Sequence, residues 1–285
     1  MTSSVKQNLL ATLGLIVKRP IVLLPFTIFA FFELLTLELF YFSSGWPLSL
    51  VIGPVVRKFY GERFVHYPGN LFVLPQIFYY AQIFLYIVVG VFLTAIAVNV
   101  FRNIQKNLPL KPDALIKNSL KRYPAFLLYG IVIVACWVLM RKADVFILSR
   151  FFAFAVKSYP NAVPRLGPFI TPVFIFFTNV VLHAFFVLTV PIIVIQQRSF
   201  LRALGSSIRL GGRYFFVLFT LVFLPYVVYL PLSLVKSFSA RIAVLTFPEM
   251  NAVITAAGVI LALFVDCVVV LSASRFLLER ESLKR

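Results

Sequence analysis

Asp266 is the residue of this chain whose type and position point most clearly to chemistry. It lies in the middle of the apolar run Ala252–Leu278. An ionised carboxylate at the centre of a bilayer is costly unless it is paired or hydrated, so an acid in such a run is a functional hypothesis by default. Gly258 and Ala262 share its helical face, and small residues let helices approach closely. We therefore expect Asp266 to face protein, either as a protonated group that donates one hydrogen bond or as a site for a proton or ligand.

Three further polar residues in apolar runs are candidates for the same intramembrane site. Glu33 lies midway along the first apolar run, and Asn179 and His183 are four residues apart on one helical face of the fourth. A lone buried His beside an Asn is more often a hydrogen-bonded core residue than a ligand, and both interpretations stay open. Glu33 is a possible partner of His183 or of a tyrosine hydroxyl, so a transport site would use Asp266 with Glu33 or His183.

The common catalytic and metal-binding motifs are missing from the sequence. It contains no Gly-rich phosphate loop, no His-Glu-x-x-His and no Gly-x-Ser-x-Gly. With two histidines in the chain, a His-based metal site is not expected. Both cysteines, Cys136 and Cys267, lie in apolar runs, so no disulfide is expected. The sequence predicts no catalytic residue, no metal and no cofactor, although an intramembrane enzyme whose site is assembled from separate helices stays open.

Six apolar stretches dominate the chain, and the helices that they form must position the candidate polar residues. A hydrocarbon core about 30 Å thick needs roughly 20 helical residues. The chain is 61% hydrophobic, far above the roughly 45–50% that soluble domains use. The predicted spans are Pro20–Phe42, Pro75–Phe101, Pro124–Met140, Pro168–Ile195, Tyr214–Val235 and Ala252–Leu278. We predict an all-α, polytopic membrane protein with six transmembrane helices in one membrane domain, residues 1–285.

The formal net charge of +18 has two explanations, nucleic acid binding or retention of loops on the cytoplasmic side. In a membrane protein, Lys and Arg usually hold cytoplasmic loops against anionic lipid. Placing both termini in the cytoplasm puts 17 of the 27 basic residues on that side. The sequence therefore predicts a multi-pass protein of a bacterial inner membrane with cytoplasmic termini. The expected partners are bilayer lipid, anionic headgroups and a possible membrane protein, but not nucleic acid.

A pattern of short amphipathic segments divides the chain into three units. Val5–Arg19, Pro112–Arg122 and Ser199–Arg213 each end in a basic residue directly before a predicted span. Each is followed by two spans, which predicts three membrane hairpins, each preceded by a cytoplasmic interfacial helix. The corresponding pseudo-repeats are about 5–101, 112–195 and 199–280, and they rest on pattern rather than on residue identity.

The third amphipathic segment carries a row of arginines. At about 100° per residue, four arginines fall within an arc of about 60°: Arg198, Arg202, Arg209 and Arg213. Four apolar residues point the other way: Phe200, Leu201, Leu204 and Ile208. Such a helix can lie in the membrane interface with its guanidinium groups on lipid phosphates. It can also pack on neighbouring cytoplasmic helices, and the two arrangements are compatible.

The end of the fourth span and the segment after it resemble a known signature. The matching residues are Val190-Pro191-Ile192-Ile193-Val194-Ile195, Ser199, Ala203-Leu204, Ser207, Leu210 and Gly212-Arg213-Tyr214-Phe215. They resemble bacterial six-helix membrane proteins that include the YciC-like proteins, and they are similar to the membrane domain attached to some glycerophosphodiester phosphodiesterases. An acidic residue often follows the apolar run in these families, whereas Gln196-Gln197 stand here. The resemblance implies mainly the six-helix layout. No phosphodiesterase domain is expected in this sequence, so that activity does not transfer to it.

Two functions follow from these features. The basic interfacial segments favour a non-enzymatic envelope component that contacts lipid or binds a membrane partner. The acids within the apolar runs favour a small transporter or permease-like protein.

Overall fold

The structure, a computed structural model, describes residues 5–158 and 163–282, so the predicted domain 1–285 extends beyond it at both ends and across 159–162. Within the described residues every regular element is helical. In chain order the α-helices are α1 (Val5–Lys18), α2 (Leu24–Tyr41), α3 (Leu48–Tyr60), α4 (Gly69–Leu85), α5 (Val91–Gln105), α6 (Pro112–Leu120), α7 (Tyr123–Ser158), α8 (Val163–Phe186), α9 (Thr189–Ile195), α10 (Phe200–Arg213), α11 (Phe215–Val227), α12 (Leu230–Ser237), α13 (Ser239–Leu245) and α14 (Met250–Ser282). A π-helical turn, Tyr86–Gly90, joins α4 to α5.

Five helical segments of the described chain are long and apolar enough to cross a membrane. They are Pro20–Ser44, Gly69–Gln105, Tyr123–Lys157, Leu166–Ile195 and Met250–Ser282. The pair α10 and α11 passes the same test together but is bent by 94°, which gives up to six spans. Large apolar side chains such as Phe31, Phe84 and Leu139 are exposed on the outer faces of the spans, as a hydrocarbon solvent requires. The all-α, multi-pass membrane class predicted from the sequence agrees with this architecture.

The fifth predicted span, Tyr214–Val235, does not form one helix. α11 has 13 residues, and a turn at Val228 and Tyr229 separates it from α12. Pro231, in the first turn of α12, has no N–H to donate to the carbonyl four residues earlier, and its ring clashes with that carbonyl. The Tyr229 amide instead donates to the Tyr226 carbonyl at 2.8 Å. The proline therefore interrupts an apolar stretch whose composition alone predicts a continuous span.

The helices α1, α6 and α10 lie at the end of the bundle where α14 terminates. The Asn99 amide of α5 donates to the Ser119 hydroxyl of α6 at 3.0 Å. Near α10, Arg280 of α14 donates to the Tyr214 hydroxyl at 2.8 Å. Basic residues of the three predicted amphipathic segments thus gather at one end. The threefold repeat itself stays a prediction.

Polar side chains tie α2, α4 and α14 together at the opposite end. The Asn70 amide of α4 donates to the Tyr41 carbonyl of α2 at 3.4 Å, and the Asn251 amide of α14 donates to the Leu71 carbonyl of α4 at 3.2 Å. The Tyr67 hydroxyl donates to the Glu249 carboxylate at 2.9 Å, and this bond raises the pKa of Tyr67. These bonds fix the spans that carry Glu33 and Asp266 relative to each other.

Candidate functional site

The four polar residues singled out in the apolar runs line one cavity of about 360 Å³ in the middle of the bundle. Glu33 reaches it from α2, Asp266 from α14, and Asn179 and His183 from α8. Further lining residues come from α4, α7 and α11, so each of the six predicted spans contributes to its wall. Residues that are far apart in the sequence are thereby collected around a space wide enough for a small molecule.

Asp266 is held by a tyrosine of α11. The Tyr226 hydroxyl donates a hydrogen bond to Asp266 Oδ1 at 2.9 Å. The Tyr226 ring also packs edge-on against the His183 imidazole, with 5.4 Å between ring centroids. Although Asp266 is central in its helix, it is only half-buried, because it faces the cavity. Tyr226 therefore connects the carboxyl and the imidazole on one side of the space.

Glu33 is held on the other side by α4. Its side chain is buried, with 7% exposure. The Gln82 side-chain amide donates to Glu33 Oε1 at 2.9 Å. Burying a carboxyl is costly without such a partner, so Gln82 fixes the position of Glu33 and leaves its second oxygen available to a ligand. Within the described chain, Asn179 Oδ1 is buried and accepts no hydrogen bond.

A second cavity of about 80 Å³ adjoins the first. Five residues line both spaces: Phe26, Phe29, Tyr86, His183 and Asp266. The smaller cavity continues along α5 and α9 towards the end of the bundle where α14 terminates. Asp266 and His183 thus lie at the junction of two spaces that follow one another along the bundle.

Three spans are interrupted beside these cavities. The π-helical turn Tyr86–Gly90 separates α4 from α5. Pro191 lacks the N–H for the carbonyl of Val187, and a turn at Val187 and Leu188 separates α8 from α9. Tyr226, the partner of Asp266, directly precedes the break between α11 and α12. Broken helices and π-turns recur at transport and ligand sites, where irregular backbone can line a cavity.

Aromatic rings and two carboxyls dominate the lining of the larger cavity. Its aromatic members are Phe26, Phe29, Tyr79, Tyr86, Trp137 and Tyr226. Among the described residues, Glu33 and Asp266 are its only ionisable lining groups apart from His183 and the tyrosines, and no Lys or Arg lines it. Carboxylates and aromatic faces both attract cations. The chemistry of the wall therefore suits a small ligand with a positive charge and an apolar body.

Comparison with known proteins finds no matching family model, curated protein or solved structure. The described residues also contain no group of three or more His, Cys, Asp or Glu side chains arranged to hold a metal ion.

The side chains of the four arginines in the third amphipathic segment do not all lie at the same surface. Arg198, Arg202 and Arg209 line an open polar hollow of about 630 Å³ on the surface of α10. The guanidinium group of Arg213 instead lies over the Tyr214 ring, 5.4 Å from its centroid. Three of the four predicted lipid-contacting side chains therefore share a surface, and the fourth is separate.

Sequence reasoning missed several residues of this site. Gln82, Tyr86 and Tyr226 are common residue types in apolar runs, and no spacing rule pairs them with acids on other helices. Asp144 was also missed because it follows two basic residues. It is buried, and its carboxylate accepts a hydrogen bond from the Thr178 hydroxyl at 3.0 Å. It lies outside the cavity lining.

Gly258 and Ala262 are the small residues on the helical face of Asp266, and the structure shows what each of them contacts. Ala262 lines the cavity. Gly258 accommodates the Lys236 side chain of α12, which would collide with a Cβ atom at that position.

Proposed function

We propose that this protein is a small transporter that binds a small organic cation in its intramembrane cavity. The observation that carries the proposal is the convergence of Glu33, Asp266, His183 and Asn179 on one cavity lined by all six predicted spans. Its volume of about 360 Å³ falls within the roughly 300–1,000 Å³ of small-molecule sites.

The binding mode follows from the lining groups. The carboxyls of Glu33 and Asp266 supply negative charge from the neighbouring helices α2 and α14, and the rings of Tyr86 and Tyr226 supply π-faces. A desolvated cation–π contact contributes about 2 kcal/mol, and Coulomb attraction is stronger away from bulk water. A cation with apolar substituents is therefore favoured over an anion or a neutral molecule.

Movement of the ligand follows from the two adjoining spaces. A cation between Glu33 and Asp266 lies next to the smaller cavity, which begins at Asp266 and His183. Leu188 and Ile192, which flank the lining residues Val190 and Pro191, are fully buried. The interrupted helices α8–α9 and α4–α5 supply the backbone joints at which one side can open while the other closes. We therefore expect a transport cycle in which one central binding site is exposed first to one side of the membrane and then to the other.

A binding experiment tests the proposal directly. The chain has two tryptophans; Trp137 lines the cavity, whereas Trp46 is 83% exposed. In Trp46→Phe protein, we expect tetramethylammonium to cause a saturable change in the fluorescence of Trp137, because the cation lies beside that ring. Adding Glu33→Gln is expected to weaken this binding at least about tenfold, the effect of about 1.4 kcal/mol of lost attraction.

The control ligand is tert-butanol, which has a similar size and shape but no charge. Equal responses to the two molecules, or no saturable response to tetramethylammonium, would contradict the proposed cation site. If Glu33→Gln protein binds tetramethylammonium with unchanged affinity, Glu33 is not part of the cation site.

We also propose a lipid-contacting role, as the sequence favours. Two observations support it: α10 makes an angle of 94° with α11, and α1 leaves Leu10, Leu13 and Val17 exposed. If α11 crosses the bilayer, α10 lies along its surface. In this arrangement the basic end of the bundle faces the cytoplasm and its anionic lipids, and we infer a bacterial inner membrane with both termini on that side.

A further inference from the structure

One surface is lined by Ser206, by Arg202 and Arg209 of α10, and by Arg198, which directly precedes the N-cap Ser199. Arg202 and Arg209 are one turn before and after Ser206 on the helix, and the Arg198 guanidinium reaches back to donate to Ser206 Oγ at 2.8 Å. All four residues line the hollow of about 630 Å³ described above. Three fixed positive charges and a hydroxyl thus surround a space that is open to solvent.

These guanidinium groups have no acidic partner. Among residues 5–158 and 163–282, none of the three forms an ion pair with a carboxylate. Each guanidinium has five N–H donors in a planar fork that matches phosphate oxygens. Most of this donor capacity is available in the folded protein, and repulsion between neighbouring guanidinium groups favours binding of an anion between them.

The backbone adds to the same attraction. Ser199, the N-cap of α10, is extended and its side chain forms no capping hydrogen bond. The first amides of α10 therefore lack a side-chain acceptor, and the positive end of the helix dipole lies beside the hollow. Ser199 and Arg202 both belong to the lining, so an anion there is close to the dipole and to the guanidinium groups.

The other faces of α10 indicate where the anion comes from. One face packs on the protein through the buried residues Ala203, Ser207 and Gly211, and Ser207 donates to the Phe185 carbonyl at 2.7 Å. Beside the arginines, Leu201 is 76% exposed and Ile208 is 43% exposed. Exposed apolar side chains next to a row of arginines are typical of a helix in a membrane interface.

We propose that this hollow binds a phosphate group carried by the headgroup of an anionic phospholipid, with Arg198, Arg202 and Arg209 on the phosphate oxygens and Leu201 and Ile208 among the acyl chains. The inference rests on the lipid-contacting role proposed above and is independent of the cation cavity. It excludes Arg213, whose guanidinium lies over Tyr214 outside the lining.

Calorimetric titration of the detergent-purified protein tests the site. The three probes are short-chain phosphatidylglycerol, short-chain phosphatidylcholine and inorganic phosphate. Wild-type protein is expected to bind phosphatidylglycerol in preference to phosphatidylcholine, and R202Q/R209Q is expected to bind it at least about tenfold more weakly, as the loss of charge-assisted hydrogen bonds predicts. The matched control R213Q, which removes a charge from the same helix, is expected to keep wild-type affinity.

The remaining outcomes separate the sources of phosphate. If inorganic phosphate binds as tightly as phosphatidylglycerol and R202Q/R209Q weakens both, the phosphate site is upheld but the lipid source is overturned. Equal affinities of R202Q/R209Q and wild type, or an equal loss in R213Q, would overturn the site itself. Equal binding of the two lipids would overturn the choice of an anionic phospholipid. Thermal unfolding in detergent shows whether each variant is folded, and Arg209→Gln alone replaces the double variant if the latter is not monodisperse.

Discussion

Substitution of Asp266 by Asn is expected to abolish uptake of tetramethylammonium into proteoliposomes. The amide has nearly the same shape as the carboxyl, and its oxygen still accepts the hydrogen bond that Tyr226 donates at 2.9 Å. What is lost is the negative charge at the junction of the two cavities. Removing one member of a buried charge pair costs roughly 2–5 kcal/mol, which corresponds to at least about thirtyfold in affinity. Uptake of labelled tetramethylammonium down its gradient measures the effect.

The control for this substitution is Asp113→Asn. Asp113 is an exposed acid in the first turn of α6, so the same change of charge is made outside the cavity. Asp113→Asn protein is expected to transport as the wild type does. Wild-type uptake by correctly folded Asp266→Asn protein would show that Asp266 has a structural role only.

Replacing Gly130 with Ala is expected to destabilise the bundle and weaken cation binding together. A Cβ at position 130 of α7 would lie 3.0 Å from Ile87 Cα and 3.3 Å from the Ile87 carbonyl oxygen. Both atoms belong to the backbone of the π-helical turn, so one of the two helices must shift by a few tenths of an ångström to relieve the contact. Overpacking of this kind costs about 1–3 kcal/mol, and the movement displaces Tyr86 and Trp137 in the cavity wall. Thermal unfolding in detergent measures the first effect, and the Trp137 fluorescence titration measures the second.

Gly14→Ala is the matched control because a Cβ at that position of α1 has no atom within 4 Å. Ala is favoured over Gly inside a helix by about 0.5–1 kcal/mol, so this variant is expected to be equally or more stable. Gly130→Ala protein could instead unfold at the same temperature as Gly14→Ala protein and bind tetramethylammonium with wild-type affinity. That result would show that neither stability nor cation binding depends on the close approach of α7 to the π-helical turn.

Several features of the site were predictable because they follow from the bilayer. Asp266 was expected to face protein, since an acid in an apolar run is tolerated only away from hydrocarbon, and Glu33 was expected as a possible partner of His183 or of a tyrosine hydroxyl. The structure places both on the cavity wall. Asn179 and His183 were expected to share a face from their spacing of four, and both line the same space.

Other features depend on contacts between residues far apart in the chain. Gln82 lies 49 residues from Glu33, and Tyr226 lies 40 residues from Asp266. Nothing in the local sequence of these residues distinguishes them from lipid-facing or core residues. Likewise, the four arginines of the third amphipathic segment share an arc in the sequence pattern, whereas the hollow includes three because the Arg213 side chain turns to Tyr214.

By itself, the sequence determined the membrane class, the positions of most spans and the depth of the buried acids. These depend on hydrophobic transfer energies that add residue by residue along each helix. The cavity, the partners of Glu33 and Asp266, and the breaks beside them were decided by the tertiary structure. The reason is that a cavity is the space left where several helices fail to pack, and its shape depends on all of their side chains at once.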